Sequence, residues 1–272
     1  MNDSTQPALV RRTCITVDLE NYSKLDMPTQ EAAQQGLAEA LASAAAEVGL
    51  RRLDWQLQDG GDGELAVLPL GENEPLAVGA FPLALDEQFR RLHERDALHL
   101  RARMAINHGM VAPGAKGFAG WGPVDVTRIA DAPAVRAALQ KIDEARVVVA
   151  LSAALYRDIV QQGHAVVRPD QFREVRVPRI GATAWVMVPG VDAGRIPVEA
   201  PDTEPDEQAD SVRQRVDATH SSVAQSGRDT IGNAVGPNSN VSNVSGTNNT
   251  VTSAAFHSPV HTNTMHFGPR HG

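Results

Sequence analysis

Between residues 100 and 108 the apolar Leu100, Ala102, Met104 and Ile106 alternate with the polar Arg101, Arg103 and Asn107. A period of two belongs to a strand with one dry and one wet face, and such a strand needs neighbours on both edges and a layer to cover it. Other runs supply the neighbours. Residues 12 to 19, RTCITVDL, are β-branched and apolar and then break into the polar ENYSK, which predicts a buried strand ending in a loop. Residues 146 to 150 form a further β-branched strand, and residues 173 to 177 with 184 to 188 make a closing hairpin. Residues 55 to 58, the turn Asp59-Gly60-Gly61-Asp62-Gly63 and the strand 64 to 70 give another hairpin, with a sharp acidic tip.

The covering layer is legible too. Residues 29 to 48 are Ala-rich, with Leu37, Leu41 and Val48 at helical spacing and Gly49 as the C-terminal stop. Helices are predicted at 82 to 96 and at 125 to 139, the latter interrupted at Pro133. Ser152 is expected to cap a short helix through Val160, although Leu155 fills the position that a capping box gives to Glu or Gln. A glycine-rich loop, 113 to 122, follows the strand that ends near His108. Strands and helices intermix without strict βαβ alternation, so the expected class is α+β with a mostly antiparallel sheet.

After Gly190 the chain changes character. Residues 192 to 217 are rich in Pro and acids, the composition of a linker that buries too little apolar surface to fold. Residues 230 to 269 contain no Asp, Glu, Lys or Arg and hold seven of the protein's eleven Asn. The organisation read from this is an extension over 1–10, a folded domain over 11–190, a linker over 191–229 and an uncharged tail over 230–272. Spaced Val among Asn, Ser and Thr suits stacking of strands through Asn ladders, and it equally suits a flexible tail. The elements around Phe256 and Phe267 are similar to short amyloid-type signalling motifs of bacterial immune proteins.

Charge and cysteine usage exclude several classes. With 25 basic and 33 acidic residues the net charge is −8, which gives no footprint for a nucleic-acid backbone. The single cysteine, Cys14, excludes an intrachain disulfide framework and a Cys-rich zinc site, and fits a reducing cytoplasm. MNDSTQPALVRR lacks the apolar core of a signal peptide, and no stretch approaches the ~18 apolar residues of a membrane span. A cytoplasmic protein without nucleic-acid or membrane partners is therefore expected. Five of the nine His lie in or near the tail without acidic or Cys partners, and Trp55, Trp121 and Trp185 read as core or interface anchors.

Two carboxylates stand at loop tips beside apolar strands: Asp18 after CITV, and Asp62 inside the glycine turn. Mg²⁺ takes carboxylate oxygens, and a strand end beside a hairpin turn can bring two of them onto one ion. The glycines let backbone N–H groups approach a phosphate. An Asp-Gly turn also serves a plain hairpin, so the residues alone leave both readings open.

The order VDLENYS, a helix, GGDGELAVLP, LRARMAINHGMV with its glycine-rich loop, VDVTRIADA and VVVALSAALY resembles the catalytic domain of class III nucleotidyl cyclases, over about residues 10 to 190. The resemblance implies a ferredoxin-like α+β sandwich and a head-to-tail homodimer with composite sites. It implies that Asp18 and Asp62 hold two divalent cations, Mg²⁺ or Mn²⁺, on the phosphates of an NTP. The Leu19 carbonyl and the amides of Glu20, Asn21, Tyr22 and Ser23 would complete the phosphate cradle beside Gly61. Arg128 falls at the position of the transition-state arginine, and reads otherwise as a solvated helix residue; Arg179 or Arg176 would replace a phosphate-binding lysine.

Departures from the family pattern bear on the base. With Arg128 in register, the ribose-orienting asparagine is replaced by Val124, with Asp125 adjacent. The base-reading position is Gln58, and its usual partner falls near Gly117. Neither purine lock is present, while a Gln amide offers both donor and acceptor to a uracil or cytosine edge. In this the chain is similar to the stand-alone pyrimidine cyclases of bacterial Pycsar antiphage signalling. That likeness implies cyclic UMP or cyclic CMP as product and a separate cyclic-nucleotide-responsive effector. A catalytically degenerate domain that signals through its tail is the alternative expectation.

Overall fold

The computed structural model describes residues 9–115 and 117–198. The expected tail lies outside the described residues, as do the linker beyond 198 and the first eight residues. At the centre is β1, Val10–Leu19, paired antiparallel on one edge with β3, Gly63–Val67, and on the other with β4, Ala102–Gly114. Outside β3 lies β2, Gln56–Asp59, and β4 also carries the short β5, Gly117–Ala119. β6, Val147–Ser152, runs parallel to β4, and β8, Ala182–Met187, and β7, Arg173–Val177, complete the order β2-β3-β1-β4-β6-β8-β7. The sheet is thus antiparallel except for one pair, and the class is the α+β expected from the strand patterns.

Strand alternation sorts the core into two layers. Ile15, Val17, Leu19, Met104, Ile106, Val147, Val149 and Leu151 point to one face, which is covered by α1, Met27–Glu47, and α2, Phe81–Asp96. Cys14, Ala105, Val148, Ala150 and Val186 point to the other, covered by α3, Trp121–Ala130, and α4, Pro133–Lys141. α1 starts where Asp26 accepts a hydrogen bond from the Thr29 amide at 3.0 Å, and it ends before Gly49, whose φ of +81° makes the left-handed stop. Among the described residues no helix is long and apolar enough to cross a membrane.

The differences from expectation have local causes. The glycine-rich stretch is no irregular loop: Ala112 to Gly114 turn back on Gly117 to Ala119 as a hairpin, and Gly117 and Gly120 take φ of +120° and +111°. α3 begins four residues earlier than its periodicity suggested, because Trp121, Gly122 and Pro123 occupy a first turn that needs few internal donors. Ser152 does precede a short helix, α5, Ala153–Leu155, but its buried hydroxyl makes no capping bond and has no partner. A π turn, Tyr156–Val160, continues α5, and another, Leu76–Ala80, leads into α2.

Cys14 is fully buried in the central strand, and burial pushes its thiol up to about 12. Only the thiolate attacks an alkylating reagent. Intact-mass measurement after iodoacetamide treatment at about pH 8 should show no adduct on the native protein and one on the urea-unfolded chain. A native adduct at the unfolded rate would contradict the central placing of β1.

Candidate active site

β1 brings Asp18 to its own end on the α3 side of the sheet, since Cys14, Thr16 and Asp18 alternate onto that face. Asp18 is paired with Gly63 on β3 and with Arg103 on β4. The hairpin tip closes through Gly60 N–H donating to the Gly63 carbonyl at 2.8 Å, and the Leu19 amide donates to the Asp62 carbonyl, also at 2.8 Å. Asp18, Leu19 and Asp62 therefore meet at one junction. In a strand the N–H and C=O of one residue point to the same side, so the Leu19 carbonyl faces the hairpin as well.

A Cβ on Gly63 would collide with the Val17 carbonyl, so only glycine lets the hairpin approach β1 this closely. Next to it, Glu64 is held by Arg52 at 2.5 and 2.7 Å and is not free to join the junction.

The electrostatics of the junction are those of crowded negative charge. The Asp18 carboxyl is pushed above the usual carboxylate range, chiefly by burial, with the charges of Asp62 and Asp131 adding to the effect and Arg103 opposing it. Arg103 is the residue that sequence reasoning missed. Its guanidinium donates to Asp18 and reaches Asp131 at 3.3 Å, and Arg136 donates to Asp131 at 2.9 Å. The side chain of Arg103 is only 14% exposed, so this cation is built into the site rather than lying over it. Its signal was parity: Arg103 lies two residues from the buried Ala105, on the face that Asp18 shares.

Among the described residues no three His, Cys, Asp or Glu side chains stand at metal-binding spacing. Two carboxylates without a third still fit Mg²⁺ or Mn²⁺, because Mg²⁺ is commonly held by one or two carboxylates and completed by substrate phosphates and water. Asp18 and Asp62 are the donors that would hold it.

The remaining expected residues fall into place around this junction or apart from it. Asn21 adopts a left-handed φ of 57° and opens a tight turn, Tyr22–Lys24, whose Lys24 amide donates to the Asn21 carbonyl at 2.9 Å. The Glu20 amide donates to the Arg101 carbonyl at 2.8 Å, which removes it from the expected phosphate cradle. Gln58, on the exposed β2, meets Gly117 of β5, where a Cβ would run into the Gln58 side-chain amide. Asp125 and Arg128 both lie half-buried on α3, one turn apart, and Arg128 stands 5.9 Å over the ring of the exposed Trp121. Among the described residues neither Asp125 nor Arg128 forms an ion pair. Arg179 lies exposed on the turn Pro178–Ile180 between β7 and β8, with Arg176 exposed on β7. β7 is four strands from β1, or about 19 Å at the usual strand spacing.

No family model matches this sequence. No curated protein matches it either. Solved structures do show similarity. A bacterial light-regulated adenylyl cyclase is 14% identical, with a TM-score of 0.47, over 71% of this chain and 57% of that one, so the chain spans little more than half its length. The guanylyl cyclase Cya2 is 16% identical with a TM-score of 0.46, over 71% of this chain and 99% of that one. The guanylate cyclase domain of RhGC from Catenaria anguillulae, in complex with GTP, is 17% identical with a TM-score of 0.46, over 65% of this chain and 96% of that one.

The close approach at Gly63 is open to a direct test. Gly63→Ala should lower the unfolding free energy by about 1–3 kcal/mol, the usual scale of an overpacked site. Gly71→Ala, at a glycine of φ +81° with nothing within 4 Å of the added methyl, serves as the comparison and should lose only what its backbone conformation costs. Urea unfolding of the two variants checks this, and equal losses would contradict a steric role for Gly63.

Proposed function

We propose that this chain is a nucleotidyl cyclase that converts UTP or CTP to a 3′,5′-cyclic nucleotide and pyrophosphate. The observation that carries the reading is the meeting of Asp18 and Asp62 at a glycine-built junction with, among the described residues, no third acidic ligand. Such a pair suits ions whose coordination is finished by a triphosphate. When bound, two divalent cations supply a lowered pKa at the ribose 3′-hydroxyl and neutralise charge on the leaving pyrophosphate.

The chain's own residues account for the rest of the reaction. The 3′-oxygen bonds to the α-phosphorus, the α–β phosphoanhydride bond breaks, pyrophosphate leaves with the electron pair, and the hydroxyl proton passes to water. Asn21, Tyr22 and Ser23 present the start of a tight turn to the phosphates, with Gly61 beside them. Arg128 places a guanidinium where charge builds on the α-phosphate, and Arg179 binds the polyphosphate. Gln58 reads the pyrimidine edge, its amide standing where a side chain at Gly117 would otherwise be. Asp125 takes the ribose contact that Val124 cannot make.

A homodimer suits this arrangement. Arg179 stands on the far side of the sheet from the Asp18 and Asp62 junction, so a single protomer does not surround one nucleotide. A head-to-tail pair would join the carboxylates of one protomer to the arginines of the other. The cyclic product would act on a separate effector in a cytoplasmic antiphage response. The second reading is a silent domain that senses nucleotide and signals through its tail. It draws on Val124, which is 39% exposed and has no hydrogen-bonding side-chain atom at the place of the ribose contact.

Incubation of the purified protein with each of ATP, GTP, CTP and UTP plus Mn²⁺, followed by mass spectrometry, separates the two. Cyclic UMP or cyclic CMP should exceed the purine products, and Asp18→Ala or Asp62→Ala should cut the rate by at least about 100-fold. Absence of a cyclic product from all four nucleotides would defeat the cyclase reading and leave the silent one.

A further inference from the structure

The hairpin tip that carries Asp62 has little to hold it. Residues 59 to 63 contain three glycines, whose chain entropy opposes any fixed position. Behind the tip lies an opening of about 350 Å³, lined by Gln34, Leu37 and Ala38 of α1 and by Asp59, Gly61 and Glu64, so side-chain packing does not fix the tip against the helix. The tip must also stay beside Asp18 against like charge. Its backbone bond to Leu19 pins the Asp62 end, while Gly61 takes a left-handed φ of +84°.

One side chain crosses this opening. The Gln34 amide donates both of its protons, one to the Gly61 carbonyl at 2.8 Å and one to the Tyr22 hydroxyl at 2.7 Å. Among the described residues it makes the only side-chain hydrogen bond from α1 to the hairpin. Tyr22 is a firm anchor, because its ring packs on the core and its turn is tied down from one helical turn earlier. There Gln30 donates to the Leu25 carbonyl at 3.1 Å and to the Tyr22 carbonyl at 3.4 Å. Gln30 and Gln34 share one face of α1 at the four-residue spacing of a helix. That face therefore grips both loops at once, the one after Asp18 and the one before Asp62.

We propose that Gln34 is the positioning residue of the Asp18 and Asp62 metal site: it holds the Asp62 hairpin at metal-binding distance by linking Gly61 to Tyr22. This rests on the cyclase reading for the identity of the ion, but the clasp itself is a property of the two loops. Gln34 bonds to Tyr22 and Gly61 and not to either carboxylate. Its loss acts through the position of Asp62, with the fold retained.

The test uses the full-length protein and Mn²⁺ alone, with free ion counted by electron paramagnetic resonance. Gln34→Met keeps length and helix preference but removes both donors, and should weaken Mn²⁺ binding about 3- to 10-fold, the effect of one or two net hydrogen bonds. Tyr22→Phe should weaken binding less, and adding it to Gln34→Met should change nothing further, because the shared bond is already gone. Gln35→Ala, one residue along on the solvent side, should bind as wild type does. Hydrogen exchange read over residues 57 to 64 should quicken in Gln34→Met and stay unchanged in β4, which a general loss of stability would not produce. Mn²⁺ affinity and tip exchange both within twofold of wild type in Gln34→Met would overturn the clasp. If wild type binds Mn²⁺ with the predicted Gln34 dependence but forms no cyclic product, the clasp stands and the cyclase reading falls. If wild type makes cyclic product and Gln34→Met matches it in affinity and exchange, the clasp alone falls.

Discussion

Everything at the candidate site depends on the backbone pairing of β1 with β3, which forces two carboxylates into proximity that their charges oppose. The ladder from Cys14 with Val67 to Asp18 with Gly63 runs out at the point where the acids meet. A register shift of one residue would turn Asp18 to the other face of the sheet, into the apolar layer of α1 and α2. Gly63 fixes that register sterically, and the Leu19 to Asp62 bond extends it one step past the last strand pair. The pairing is thus the structural premise of the proposed chemistry.

The cost of crowding negative charge is met by Arg103, which stands between Asp18 and Asp131 while Asp131 is shared with Arg136. A cation held by the protein occupies the position next to Asp18 that an added cation would take. On the proposed reading, a divalent ion would compete with this guanidinium for Asp18, and Asp131 is where the guanidinium would turn. Such a site would exchange one set of positive charges for another instead of opening a bare acidic pair.

How far the sequence foretold this follows from how local each signal was. β1, α1 and the acidic hairpin were legible because a β-branched run, an Ala-rich helical stripe and a DGGDG turn each declare themselves within a few residues. The β4 and β5 hairpin was not. β5 is three residues long and starts at Gly117, which leaves no alternation to detect. The two π turns likewise follow from packing and have no short motif. Arg103 and Asp18 are 85 residues apart, and their pairing becomes visible only when the strand register is known. Tertiary register also made Gln58 and Gly117 neighbours, and it set Arg179 far from Asp18.

If Asp18 and Asp62 form one metal site, its filling displaces Arg103. Diffraction at the manganese absorption edge, from crystals grown with Mn²⁺ and a non-reactive UTP analogue, addresses that claim directly. The expected result is an anomalous peak coordinated by both carboxylates, with the Arg103 guanidinium turned from Asp18 towards Asp131 or the phosphates. A nucleotide-bound structure with no anomalous peak at these carboxylates, and with Arg103 still paired to Asp18, would contradict it.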